Sequence, residues 1–326
     1  MGTGVSPAII EKDFWVCWTL GQLFASKLAD NLIFKGGTSL SKVYKATERF
    51  SEDIDLTIKK DFLGIPPEAL PNSTYSNSKN RKLVDQLNEK AIKLVHEDIL
   101  SLLKLQFTTP LKGLTWGARL INDPKNRHEK LTVLFDYPAG EDYSGNNSYI
   151  KPEVRLEFGA SGDITPHHQA SISPYVAEML MERVPTIFDP LPIMTVSVLD
   201  AIRTFWEKAM ILHSWHYVPA EKSLGKISRH MYDVMKLCEQ GYDTKAKNTP
   251  EILAAVVLNK KNYFPDSNNW YDTAKLGSLN LAPPESRYRE LRMDYTEMQQ
   301  MCFGNVPSFE QLLSILQKIE GEINGV

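Results

Sequence analysis

The spacing of apolar positions changes along this chain, and the changes separate two kinds of architecture. From Pro7 to about Lys27 the residues Ile9, Phe14, Val16, Trp18, Leu20, Leu23 and Phe24 recur with a helical rather than an alternating period. A short apolar run, Leu32 to Lys35, reads as a strand, Thr38 to Lys45 as a helix, and Ile54 to Ile58 as a second strand. Gly64 to Lys82 is rich in Pro, Asn and Ser, the composition of a loop or insertion. A helix is predicted over about Arg81 to Leu105, followed by strands at Leu114 to Ile121, Lys130 to Tyr137 and Tyr149 to Phe158, which complete the expected sheet. In the last of these Val154, Leu156 and Phe158 face one way while Glu153, Arg155 and Glu157 face the other, the alternation of a half-buried strand.

Beyond Ser161-Gly162-Asp163 and a Pro-containing stretch to about Pro192 the period becomes helical. Helices are predicted at Val198 to Trp215, Ser228 to Glu239, Pro250 to Asn259, Glu285 to Cys302 and Ser308 to Ile323. The expectation is an α+β chain with residues 1–163 forming a mixed β-sheet with flanking helices and residues 164–326 a mainly helical C-terminal domain. Internal repeats and low-complexity tracts are absent.

Composition narrows the class without choosing the chemistry. The 326 residues are 42% hydrophobic and 24% charged, as in an ordinary globular chain of about two domains. The net charge of −3 and a pI near 6.2 carry no global sign of nucleic-acid binding. Cys17, Cys238 and Cys302 are few, odd in number and far apart, as expected in a reducing compartment, and no Cys/His zinc spacing occurs. No long uncharged apolar run suggests a membrane helix, and Glu11-Lys12-Asp13 stands where a signal peptide would need apolar residues; a cytoplasmic protein is expected.

The chemistry concentrates in two stretches, Phe34-Lys35-Gly36-Gly37-Thr38-Ser39-Leu40-Ser41-Lys42 and Arg49-Phe50-Ser51-Glu52-Asp53-Ile54-Asp55-Leu56. On a strand, side chains at i and i+2 share a face, so Asp53 and Asp55 project together. Paired carboxylates repel and need a compensating charge; hard oxygen ligands suit Mg²⁺ or Mn²⁺, which keep several waters and accept phosphate oxygens. Glycines at 36 and 37 let backbone approach a phosphate, with a helix beginning near Thr38 or Ser39 to direct free N–H groups at it. Taken singly, a Gly-Gly-Thr-Ser turn is usually a plain strand-to-helix connection and an Asp-Ile-Asp a polar strand face. Together and in this order they read as a nucleotidyltransferase site. Glu157, on the polar side of its strand, is a candidate third carboxylate.

Two later helices carry a second set of residues. Lys208, in Thr204-Phe205-Trp206-Glu207-Lys208, shares a face with Thr204, Ile211, Leu212 and Trp215. Its plainest account is snorkelling, with a packed stem and a solvated ammonium. The functional alternative is a triphosphate clamp that neutralises β- and γ-phosphate oxygens as pyrophosphate leaves. In Arg229-His230-Met231-Tyr232-Asp233, Arg229 and Asp233 are spaced for an intrahelical ion pair, while a functional Asp233 would orient Lys208 or the acceptor. His167, His168, His213 and His216 form no nucleophile or metal constellation.

These residues resemble the AbiEii/AbiGii-type nucleotidyltransferases, a branch of the DNA polymerase β-like superfamily found as toxins in bacterial toxin–antitoxin and phage-defence operons. The resemblance covers most of the chain: Ile10-Glu11-Lys12-Asp13-Phe14-Trp15-Val16 is similar to the opening helix, the two stretches above to the glycine and metal motifs, and the Lys208 and Asp233 segments to later motifs. Asp294-Tyr295-Thr296-Glu297-Met298 resembles a late helix. It implies a nucleotidyltransferase-like fold, with Gly36, Gly37, Thr38 and Ser39 holding the nucleotide and Ser51 beside the phosphates. It further implies Asp53 and Asp55 as metal ligands and Lys208 and Asp233 completing the site, with the C-terminal domain closing the cleft. Many relatives have Arg-Asp-x-x-Asp where this chain has His230 in the first acidic place. Implied partners are a nucleoside triphosphate, an RNA acceptor such as a tRNA 3′ end, and a cognate antitoxin. A small-molecule nucleotidyltransferase of the antibiotic-modifying kind and a non-catalytic nucleotide-binding regulator are the alternatives.

Overall fold

The structure is a computed structural model that describes residues 6–121, 126, 129–140, 151–184, 186, 193–219, 221–223, 225–265 and 270–325. The chain divides into two compact units, one made of residues 1–43, 51–70 and 83–199, the other of 44–50, 71–82 and 200–326. This differs from a single cut at 163/164, because residues 164–199 supply strands to the sheet and two short upstream segments group with the C-terminal helices.

The first unit opens with α1 (Pro7–Phe24), started by Pro7 in the first turn and by the Ser6 hydroxyl, which accepts from the Ile9 amide. Then come β1 (Leu32–Lys35), α2 (Gly36–Lys42), β2 (Asp53–Ile58), α3 (Asn77–Leu94) and α4 (Leu100–Thr108), the last two joined by a π-helical turn. After these follow β3 (Gly117–Leu120), β4 (Thr132–Asp136), β5 (Glu153–Gly159), β6 (His167–Ile172), α5 (Tyr175–Arg183) and β7 (Met194–Leu199). Residues 149 and 150, expected at the start of the β5 strand, lie outside the described residues.

The strands form one mixed sheet in the order β3-β4-β5-β2-β1-β7-β6. The sheet is therefore not complete at β5, as the sequence suggested: β7 runs parallel to β1, with Phe34 opposite Val198, and β6 adds an antiparallel edge. Paired residues point to the same side of a sheet, so the registers define two faces. Leu32, Phe34, Ile54, Leu56, Val133, Phe135, Val154, Leu156 and Val198 are buried on one face, against which α1 and α4 pack. Trp18 and Phe135 each close on Phe107 of α4, with ring centroids 4.8 Å apart in both pairs. Burial of each such side chain stabilises by about 1.5–3 kcal/mol. The opposite face is polar, and the two sequence motifs lie on it.

The second unit is helical: α6 (Ala201–Ser214), α7 (Ser228–Glu239), α8 (Tyr242–Lys247), α9 (Pro250–Tyr263), α10 (Tyr288–Met298) and α11 (Phe309–Asn324). Asp200 caps α6 by accepting from the Ile202 amide at 2.7 Å, and Ser308 with Gln311 forms a capping box on α11. The short segment 44–50 belongs here because its backbone pairs with residues beyond α10: Phe50 N donates to Met301 O and Phe303 N to Glu48 O, both at 2.7 Å. Among the described residues no helix is long and apolar enough to cross a membrane.

His213, wholly buried on α6, accepts at Nδ1 from the Asn280 amide at 3.0 Å and has Nε2 3.0 Å from the Thr273 hydroxyl. Burial, with the nearby His216 adding to it, pulls its pKa down to about 4. The folded state thus prefers the neutral imidazole, and this contribution is fully present above the ordinary pKa of about 6.5 and is lost as pH falls towards 4. Urea unfolding of wild type and His213→Gln at pH 7.5 and pH 5.0 should show wild type losing more stability on acidification than the variant; equal losses would remove His213 from the account.

Candidate functional site

In the first unit the site is built by a turn that cannot carry a side chain. β1 ends at Lys35, and Gly36 turns the chain into α2 with φ +79°, a conformation that L side chains rarely adopt. A Cβ at position 36 would stand 2.0 Å from Asp55 Oδ2, so the glycine also makes room for the carboxylate. Asp53 and Asp55 are half-buried on the polar face of β2, as the i, i+2 spacing required. Thr38 and Ser39 are fully buried behind the turn. The Thr38 hydroxyl donates to the Asp53 carbonyl and lies 2.9 Å from the Ser51 hydroxyl, while Ser39 Oγ donates to the Gly36 carbonyl at 2.9 Å. The Ser39 hydroxyl thus shapes the turn, and the Thr38 hydroxyl fixes it to the start of β2.

The register extends this arrangement across the sheet. Lys35 stands opposite Asp55 on one side and Glu157 opposite it on the other, while Arg155 stands opposite Asp53. Arg155 Nε donates to Glu157 Oε1 and Nη2 to Glu129 Oε2, each at 2.6 Å. These bonds hold the guanidinium above its usual pKa range against the effect of burial. Glu157 thus lies beside Asp55 with its carboxylate turned to an arginine, and among the described residues no three His, Cys, Asp or Glu side chains form a metal-binding group. Two hard carboxylates on one strand face suit Mg²⁺, which is usually held by one or two carboxylates, waters and substrate phosphates.

The second unit carries Lys208 and Asp233, and it brings them together. Asp233 is fully buried; it accepts from Arg49 Nε at 2.7 Å and Nη2 at 2.8 Å, and its other contact is Lys208 Nζ at 2.8 Å. Burial alone would raise the Asp233 pKa, but Arg49 and then Lys208 hold it well below the usual carboxylate range. Burial pushes Lys208 down while Asp233 draws it up, and its Nζ lies 3.5 Å from His230 Nδ1. Burial, Lys208 and Arg229 together keep His230 far below its ordinary pKa, so it is a neutral imidazole beside an ammonium. The Lys208 ammonium does not snorkel to water. Nor is Asp233 engaged mainly by Arg229, which is exposed.

Comparison with known proteins places the chain. Among curated proteins nothing matches it. Solved structures that match include the nucleotidyltransferase toxin MenT4 from Mycobacterium tuberculosis, at 15% identity and a TM-score of 0.32 over 96% of this chain and 93% of that one. The family model described as nucleotidyl transferase AbiEii toxin, type IV toxin–antitoxin system, matches residues 18–315. The chain belongs to the AbiEii family. It is a nucleotidyltransferase toxin of a type IV toxin–antitoxin system, with a nucleoside triphosphate as substrate and a cognate antitoxin implied.

Within this AbiEii chain the expected residues fall into two groups. Gly36, Gly37, Thr38, Ser39, Ser51, Asp53, Asp55 and Glu157 lie in the first unit, and Lys208 and Asp233 in the second. Arg49, the principal partner of Asp233, was not singled out from the sequence, although it begins the quoted Arg49-to-Leu56 stretch. Nothing local marks it, because its partner is 184 residues away.

Gly36→Ala should cost about 1–2 kcal/mol from its positive φ alone. It should also displace the Asp55 carboxylate, giving a folded protein without nucleotidyl transfer; a fully active Gly36→Ala enzyme would show that the close approach is dispensable. Asp233→Ala strips the counter-ion from two buried cations and should destabilise by about 3–5 kcal/mol. Arg229→Ala should stay within about 0.5 kcal/mol of wild type. Comparable losses in urea titrations of the two variants would restore the intrahelical pair.

Proposed function

We propose that this toxin transfers a nucleoside monophosphate from a nucleoside triphosphate to a hydroxyl of an RNA acceptor, with the tRNA 3′ end as the specific target and inhibition of translation as the outcome, in a toxin–antitoxin or phage-defence setting. The observation that carries the reading is Asp53 and Asp55 side by side on one strand face against Gly36, whose missing side chain leaves the space that Asp55 Oδ2 occupies.

In this reading the acceptor oxygen attacks the α-phosphorus as the bond to the β-phosphate bridging oxygen breaks, and pyrophosphate leaves. The Gly36-Gly37 backbone receives the triphosphate, with Thr38, Ser39 and Ser51 holding the turn in shape. Asp53 and Asp55 would hold Mg²⁺ or Mn²⁺, which when bound neutralises charge on the attacking and leaving oxygens. Asp55 takes up the acceptor proton. The family resemblance assigns Lys208 to the triphosphate with Asp233 as its orienting partner, and the 2.8 Å pair between them supports the second half of that assignment. Glu157 serves as a third ligand only if its ion pair with Arg155 opens, which makes it the least committed of the carboxylates.

The test is incubation with each α-labelled triphosphate, Mg²⁺ and total RNA. Label should enter tRNA-sized RNA, disappear on chelation, and fall at least about 100-fold in Asp53→Ala while Glu157→Gln keeps more activity. Lys208→Ala should lower kcat as well as raise KM for the triphosphate, because the charge it neutralises grows as pyrophosphate leaves. Label confined to a small molecule would overturn the RNA acceptor, and no label with any triphosphate would overturn transfer.

A further inference from the structure

Two consecutive charged residues of α1 are buried, and each is bound to a different half of the motif. Lys12 is 3% exposed and Asp13 2% exposed. The Lys12 ammonium is paired with the carboxylate of Glu52, the residue between Ser51 and Asp53. Asp13 Oδ1 accepts from Lys42 Nζ at 2.8 Å, and Asp13 Oδ2 accepts from the Tyr175 amide at 2.6 Å in the first turn of α5. The Lys42 ammonium also stands 3.6 Å from the centroid of the Tyr175 ring.

We infer that Lys12 and Asp13 are positioning residues for the nucleotide-donor site: Asp13, through Lys42, fixes the helix that follows the glycine turn, and Lys12, through Glu52, fixes the chain entering the Asp53–Asp55 strand. The function of this device rests on the nucleotidyl-transfer reading; its geometry does not.

The donor turn tolerates little displacement. Gly36 and Asp55 meet so closely that a single added carbon does not fit, so the turn and the strand must keep their separation to within a few tenths of an ångström. Pairing of β1 with β2 fixes the strands themselves. It leaves α2 and the Ser51-Glu52 approach to be held by other contacts: the Thr38 hydroxyl ties them to each other, and α1 ties both to the rest of the unit. α2 is a short rod that starts at Gly36 and ends at Lys42, so a grip on Lys42 restrains the turn at its other end. A single 18-residue helix thus holds both halves of the motif at adjacent positions. The residue before them, Glu11, accepts from the Gly140 amide at 2.5 Å beyond β4, so each residue of the Glu11-Lys12-Asp13 run fastens another segment to α1.

The test compares Lys12→Met, Glu52→Gln, their double variant, and the doubly neutralised Asp13→Asn/Lys42→Met with wild type. The readouts are hydrogen exchange of peptides covering 36–42 and 51–56, nucleoside triphosphate binding by calorimetry, and KM against kcat. Lys12→Met and Glu52→Gln should each raise exchange in 51–56 roughly tenfold, weaken triphosphate binding roughly tenfold and raise KM to match, with an unfolding midpoint close to wild type in Lys12→Met and a lowered one in Glu52→Gln, which leaves the buried Lys12 ammonium unpaired. The Lys12/Glu52 double variant should be no worse than either single one, and Lys12→Arg should restore the wild-type values. Asp13→Asn/Lys42→Met should loosen 36–42 instead. Folded variants with unchanged exchange and unchanged triphosphate binding would overturn the inference, as would fully additive losses in the double variant. A wild-type protein that transfers nothing would refute the nucleotidyl-transfer reading on its own, while exchange and triphosphate binding would still decide whether α1 fastens the turn and strand.

Discussion

The structure of the first unit depends on how closely the backbone at Gly36 approaches the Asp55 carboxylate. The antiparallel register of β1 and β2 puts Lys35 opposite Asp55, so the next residue has to leave the sheet immediately in front of that side chain. Only a residue without a Cβ does so at φ +79° with Asp55 Oδ2 where it is. The apolar face secures this register from behind. A one-residue slip of β2 would turn Asp53 and Asp55 into the apolar layer beside Phe34 and Leu156, and would turn Ile54 and Leu56 out to the polar face in exchange. The hydrophobic core and the site are therefore set by one register.

Much of this was legible in the sequence because it is local. The helix at α1, the strand at β1, the Asp53–Asp55 face and the Ser228–Glu239 helix follow from periodicity alone. What was missed is non-local or polar. β6 is an edge strand with His167, His168 and Gln169 exposed, so it has little apolar alternation to read, and its polar face suits an edge that must not recruit another chain. β7 was partly absorbed into the following helix, although Thr195-Val196-Ser197-Val198 alternates as a strand and Asp200 signals a helix start at Ala201. The apolar pattern of the sequence alone therefore ends the sheet at β5.

Side-chain pairing was the less legible half of the candidate site. Lys208 on an apolar helix face looks the same from sequence whether it reaches water or meets a buried carboxylate. The distinction lies in Arg49 and Asp233, which no short-range pattern connects. Ion pairs of this kind are weak evidence for stability, since desolvation of both charges offsets most of their attraction. What they do strongly is penalise any arrangement that separates them. In each unit the buried pairs join segments far apart in sequence: Asp13 with Lys42 and Lys12 with Glu52 in the first, Arg49 and Lys208 with Asp233 in the second. Their contribution is to single out one geometry among several that would bury similar apolar area.

The same electrostatic reasoning bears on the polar face. Two like charges about 4 Å apart repel by roughly 1 kcal/mol in water and roughly 4 kcal/mol near a protein surface. Asp53 and Asp55 would thus oppose a triphosphate if they met it alone. Lys35 and Arg155, the cations in register with them, reduce that opposition, but Arg155 is already committed to Glu157 and Glu129. In the proposed reading, a polyanionic donor at this face needs positive charge brought in with it, and a divalent cation held by Asp53 and Asp55 would supply that charge. The carboxylate pair that opposes the bare nucleotide would then favour its metal complex.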